Sequence, residues 1–242
     1  MQRPEDLPDF THPPLNEVVM GVQFSPPNGY SQIRAGDVWK LFRADYPLVQ
    51  ERDALPPTFE TFGARRSGQL AGRVSFVAGP VHDRFWFVSE SGEELVQFQQ
   101  DRLLHNWRKI GNRDNEYPRF EIMLDKFRLE LSALELYAES LTPQRLSINQ
   151  CELSYINHIA GDAGTRPTPS DWLRFVAFAG GEPEDFAMSF KEIVRDAAGH
   201  RSGGWSVRAL VCWIRRTGRY WCSVLRFAVV RRIPASTLRS RS

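Results

Sequence analysis

Val96-Gln97-Phe98-Gln99-Gln100-Asp101-Arg102-Leu103-Leu104-His105-Asn106-Trp107-Arg108-Lys109 passes, by way of Tyr117-Pro118, into Phe120-Glu121-Ile122-Met123-Leu124-Asp125-Lys126-Phe127 and on to Leu141. A change of period inside this stretch decides the fold class. Up to Phe98 apolar and polar residues alternate, as on a half-buried strand. From Phe120 the apolar positions Phe120, Leu124, Phe127, Leu131, Leu134, Ala138 and Leu141 recur every three or four residues, as on an amphipathic helix. Ile122, Met123, Leu129 and Leu136 widen that apolar face. The width predicts more than one covering partner: an antiparallel sheet curled around a long central helix. Pro118 suits a first helical turn and Pro143 forbids continuation. Between Phe98 and Ile110 the alternation blurs. The expectation there is one long strand that bends or bulges near Gln99-Gln100.

Working outward, Leu15 to Phe24 alternates and reads as a strand, closed by Pro26-Pro27-Asn28-Gly29. Ser31 to Tyr46 carries Ala35, Val38, Leu41, Phe42 and Tyr46 at helical spacing, with Trp39 at the margin and Pro47 as the stop. Thr58–Phe62 and Arg73–Val77 read as strands around a basic, Gly-rich loop with Arg65 and Arg66. Arg84–Val88 and Leu95–Phe98 face each other across Glu90-Ser91-Gly92-Glu93, a hairpin signal. Leu146 to Ile159 returns to period two, with Cys151, Leu153, Tyr155 and Ile159 on one face. Gly161 to Pro169 reads as a loop, Ser170 as the cap of a short helix through Val176, and Phe186, Met188 and Phe190 as a further strand. This order predicts an α+β fold, with a Pro-rich arm over 1–12 and a domain over 13–196. That domain divides into two pseudo-repeated lobes, 13–112 and 115–196, with Leu15–Val18 and Cys151–Leu153 as comparable strands.

The composition, 42% hydrophobic and 25% charged, is that of an ordinary globular chain. No apolar run approaches the roughly 18 residues of a membrane helix. Met1 to Pro8 carries acids and prolines where a signal peptide needs a basic patch and an apolar stretch, so a cytoplasmic protein without membrane association is expected. Three cysteines, Cys151, Cys212 and Cys222, fit neither a disulfide framework nor a zinc site. Charge is divided unevenly. All 29 acids precede Ala197, whereas ten of the 31 basic residues follow it, so residues 1–196 carry net −8 and residues 197–242 carry +10. Three readings of 197–242 stand side by side. It is a basic aromatic segment for nucleic acid, an ordinary hairpin around Thr217-Gly218, or a frameshifted end, since Arg, Ser, Ala, Gly, Trp and Cys are what a shifted frame of GC-rich DNA yields.

The phosphate loop, the dinucleotide fingerprint, the zinc-protease helix motif and the nucleophile elbow are all missing from the sequence, which removes the usual support for those enzymes. The strongest cluster is Asp101, Arg102, His105, Asn106, Trp107 and Arg108. An Asp-oriented Arg beside a His can bind an anion or move a proton. The same residues also serve as a structural network at a sheet bend, with Trp107 packed on the long helix. Glu17 and Glu152, on comparable strands, form a candidate acid–base pair, against the plainer reading that both face solvent. His82 and His158 stand alone, without partners at metal-ligand spacing. No cofactor and no metal are expected.

Pro13-Pro14-Leu15-Asn16-Glu17-Val18-Val19-Met20-Gly21-Val22-Gln23-Phe24 resembles the opening of a sporadically distributed family of uncharacterised bacterial and archaeal proteins. Gln97–Arg102, Asn106–Lys109, Tyr117–Phe120 and Glu152–Asn157 resemble that family in the same order, over about residues 13–160. The resemblance implies no defined activity; the family's scattered distribution is similar to that of genes on mobile or defence-associated islands. The leading expectation is a non-enzymatic protein-interaction or regulatory module with a protein partner, antitoxin-like or mobile-element-associated. The alternatives are a nucleic-acid binder using the basic tail and the Arg65-Arg66 loop, and an enzyme centred on Asp101 to Arg108.

Overall fold

The computed structural model describes residues 13–55, 83–111, 115–160, 177–181, 186–195, 199, 201–211, 214–216 and 219–231, the strands from Phe186 onward by their backbone course and pairing. The arm 1–12, the strands expected at Thr58–Phe62 and Arg73–Val77, the Arg65-Arg66 loop, His82, and the loop and helix expected over 161–176 lie outside these residues.

The described residues form one ten-stranded antiparallel sheet with helices, an α+β architecture. In chain order come β1 (Leu15–Phe24), a 3-10 turn (Gln32–Arg34), α1 (Ala35–Phe42), β2 (Leu48–Arg52), β3 (Arg84–Val88), β4 (Glu94–Gln99) and β5 (Arg102–Arg108). They are followed by α2 (Phe120–Leu141), β6 (Ile148–Ala160), β7 (Phe186–Arg195), β8 (Arg201–Val211), β9 (Ile214–Arg216) and β10 (Arg219–Arg231). The strand order is β2-β3-β4-β5-β1-β6-β10-β8-β7, with β9 on β10.

β1 lies between β5 and β6 and is buried on both faces from Val18 to Phe24. Gly21 is required there. A Cβ at this position would stand 2.4 Å from the Leu103 carbonyl oxygen and 2.4 Å from Leu104 Cδ2, so only glycine lets β1 lie this close to β5. Both β5 and β6 run antiparallel to β1 and are therefore parallel to each other, which demands a crossover. α2 is that crossover, and it packs over β1 and β5. The helix-side core gathers Val18, Met20, Val22 and Phe24 of β1 with Phe87, Val96, Phe98, Leu103 and Trp107, capped by Val38 and Phe42 of α1 and Met123, Phe127 and Leu134 of α2.

Three expectations need correction, and one strand was not foreseen. The long bending strand is two strands. Gln100-Asp101 makes a two-residue turn, Gln99 pairs with Arg102, and the Phe24 N–H donates to the Asp101 carbonyl at 2.8 Å, so the apparent bulge is a hairpin tip held by β1. The first helix is shorter than Ser31–Tyr46: its opening is a 3-10 turn and its end is released at Phe42, after which Tyr46 turns into the core. β2 went unforeseen because all five of its residues are exposed and leave no burial alternation to read. Finally, α2 is not covered across its whole apolar width. Met123 is buried, but Ile122, Leu129 and Leu136 are 61%, 74% and 69% exposed.

Candidate functional site

Strand alternation divides the six candidate residues between two faces. His105 and Trp107 point toward the helices; Arg102, Asn106 and Arg108 occupy the opposite face, and Asp101 sits in the turn. No single site unites them.

On the helix side His105 is 0% exposed. Its Nδ1 lies 3.0 and 3.1 Å from the two carboxylate oxygens of Glu130 on α2. The Tyr46 hydroxyl donates to Glu130 Oε1 at 2.6 Å. Burial, and then the Glu130 carboxylate beside it, hold the Tyr46 hydroxyl far above its ordinary pKa, so it remains a donor. Facing a carboxylate, which only accepts, Nδ1 is assigned the donor role. Nε2 is buried and has no hydrogen-bond partner among the described residues. Glu130 thus receives donors from β5 and from the segment after α1, and the three groups tie both to the middle of α2. With His105 closed to solvent and Glu130 7% exposed, the trio joins three elements inside the core. Trp107 is likewise core, its ring 5.4 Å from that of Tyr117.

The opposite face is a chain of amides and guanidiniums. Asn106 Nδ2 donates to Glu17 Oε1 at 2.5 Å, and Asn106 Oδ1 accepts from Gln97 Nε2 at 2.8 Å. Gln97 Oε1 in turn accepts from Arg84 Nη1 at 2.7 Å and from Trp86 Nε1 at 2.9 Å. Arg102 pairs with neighbouring Asp101 at 3.1 Å, and Asp101 also accepts from Gln99 at 3.0 Å. Gln99 further grips Leu55, accepting its N–H at 2.8 Å and donating to its carbonyl at 3.0 Å. Burial, then the nearby Arg102 and Arg52, push the Arg84 guanidinium below its ordinary pKa. Gln23, Gln97, Gln99, Arg102, Asn106 and Gln150 are all buried on this face, an unusual density of polar groups for the inner part of a sheet.

Glu17 and Glu152 do not form a pair. β1 sets Glu17 against Ile156 and Gly21 against Glu152, so the two carboxylates lie four residues apart along the strand, about 13 Å. Glu17 is spent on Asn106, and Glu152 accepts from Ser154 at 3.2 Å. His158 is half-buried, and that burial holds its pKa below the usual histidine value. Among the described residues no group of three or more metal-ligating side chains converges, and no helix is long and apolar enough to cross a membrane.

Glu130 and Tyr46 are the residues that sequence reasoning missed. The buried line on α2 is Met123, Phe127, Glu130, Leu134 and Ala138, so a glutamate fills a position that the helical period assigns to the core. A charged residue inside an apolar stripe was the available signal. Comparison with known proteins returned no matching family model, no matching curated protein and no matching solved structure.

Proposed function

We propose that this chain is a non-catalytic protein-interaction module whose docking element is the outer face of α2. The observation that carries this reading is the line Ile122, Leu129, Leu136. The side chains are spaced by seven residues, each more than half exposed, and stand about 10.5 Å apart along one side of the helix. Large aliphatic side chains aligned in water mark an interaction surface, and a helix-borne stripe of this kind suits the apolar face of a partner element. The buried Tyr46–Glu130–His105 network supports the reading from within, because it fixes the middle of α2 to the sheet and makes the stripe a rigid ledge. A regulatory or antitoxin-like partner of a neighbouring gene's product is the biological form this takes.

The test is co-expression with the products of the neighbouring genes, followed by size-exclusion chromatography. A product is expected to co-elute with the wild-type chain at high salt and to be lost from I122Q/L129Q/L136Q, with the thermal midpoint unchanged. A partner that stays with the folded triple variant would overturn the reading, as would the absence of any co-eluting product.

The strand order also favours a repeat of two halves, β1–β5 and β6–β10, the second of which runs past the lobe boundary expected at 196. From its centre outward, the first half runs first strand, last strand, penultimate strand: β1, β5, β4. The second half also starts with its first strand, β6, and then its last, β10, but β8 comes next, with the short penultimate strand β9 set on β10 off this path. β1 and β6 meet antiparallel, as two copies related by a twofold axis between them would.

A further inference from the structure

Three arginines surround one indole on the sheet face away from the helices. The guanidinium carbons of Arg52, Arg84 and Arg108 lie 4.4, 5.6 and 5.7 Å from the centroid of the Trp86 ring. They arrive from three strands, β2, β3 and β5, while Trp86 itself is held by Gln97 of β4. Each guanidinium is positioned by neutral acceptors. Arg52 donates to Gln50 Oε1 at 2.6 Å, Arg84 to the Asp53 carbonyl at 3.0 Å and to Gln97 Oε1, and Arg108 to the Gly92 carbonyl at 2.7 Å. Among the described residues none of the three is ion-paired with a carboxylate. Among the acids nearby, Asp53 offsets part of the Arg84 charge across space, Asp101 holds Arg102, and Glu17, opposite Arg108 in the register, accepts from Asn106. Arg52 and Arg84 stand directly opposite each other across β2 and β3, an arrangement of like charges that costs stability.

We propose that this cluster is a binding site for a phosphate group. A guanidinium offers five donors, and these contacts use only one or two on each arginine, so donors remain for the oxygens of a phosphate. A bound dianion would relieve the mutual repulsion of Arg52 and Arg84, whereas a neutral or cationic ligand would leave it in place. Each guanidinium is planar by delocalisation, and its cation–π contact with the indole helps to hold that fork of donors in place for phosphate oxygens. Two sources carry this chemistry, a small phosphorylated compound and the backbone of a single-stranded nucleic acid.

The test uses the full chain and two probes, inorganic pyrophosphate and oligothymidylate, titrated calorimetrically and by tryptophan fluorescence with W86F as the reference for the Trp86 signal. Binding of either probe is expected to change emission in the wild type and not in W86F. R52Q, whose side chain is exposed, is expected to weaken binding about tenfold while R52K weakens it less. R108Q repeats the test from a separate strand. If pyrophosphate alone binds, the ligand is a small phosphate; if oligothymidylate alone binds, with a salt dependence that R52Q lowers by about one in slope, it is a single strand. The proposal is overturned if neither probe binds, or if binding persists unchanged in folded R52Q and R108Q.

Discussion

Glu130 accepts from two donors while largely buried, and this decides what its loss costs. Glu130→Ala strands the Tyr46 hydroxyl and His105 Nδ1 together, and should lower the free energy of unfolding by about 3 kcal/mol. Tyr46→Phe removes one donor and leaves the carboxylate its imidazole, so about 1 kcal/mol is expected. Denaturant titrations of the two variants give the comparison; equal losses would show that the carboxylate does not hold the network. A second expectation at this scale concerns His158. Its folded pKa lies below the unfolded value because burial disfavours the imidazolium. The unfolded chain therefore binds more protons in the window just below about 6.5, so this group's contribution is intact above that pH and is lost as pH falls through the folded pKa. H158Q should flatten the thermal midpoint against pH across that window; an unchanged profile would remove His158 from the account. None of this was legible residue by residue. The chemistry of Asp101 to Arg108 looked like one cluster on paper, and strand alternation put its histidine and its arginines on opposite faces.

α2 shows what an apolar pattern specifies and what it leaves open. Phe127, Leu134 and Ala138 belong both to the stripe expected from sequence and to the buried line, so the existence, length and end of the helix were readable. Which flank met the sheet was not, because apolar residues on both sides of the stripe satisfy the same period. The helix is rolled toward Met123 and Glu130, where Tyr46 and His105, distant in sequence, supply partners for the buried carboxylate. Leu134→Ala should accordingly cost about 2–5 kcal/mol as a core truncation, whereas Leu129→Gln, on the exposed flank, should stay within about 0.5 kcal/mol of wild type. Differential scanning calorimetry of the pair checks the roll directly, since the reverse ranking requires the helix to face the other way. The strands read in the same manner. β1, β3 and β4 announced themselves by alternation, and the turn at Gln100-Asp101 did not, because it contains no glycine, proline or asparagine to mark it.

Across the whole molecule the central strands matter more than the rim, and the acid-free end of the chain reaches the centre. β10 runs beside β6 from Trp221 opposite Ala160 to Arg231 opposite Cys151, and β8 and β7 build outward from it. The charge asymmetry set residues 197–242 apart in the sequence; the pairing makes β10 the neighbour of β6, three strand positions from β5, which carries Asn106. Charge counting gave no hint of this, because strand partners far apart in sequence are chosen by register and burial, to which net charge is blind. A chain ending at Asp196 would lose β8, β9 and β10 together and leave β6 with β1 on one side and an unpaired ladder of N–H and C=O groups on the other. An edge thirteen residues long, in the middle of the former sheet, is a template for another copy. Light scattering of that truncation should therefore report association, and amide exchange should accelerate along Cys151–Asn157 while the β4–β5 pair remains protected. If the truncated chain stays monomeric with β6 amides as slow as in the full chain, then β10 contributes nothing to holding β6. The sheet would then be closed by the half from β1 to β6 alone.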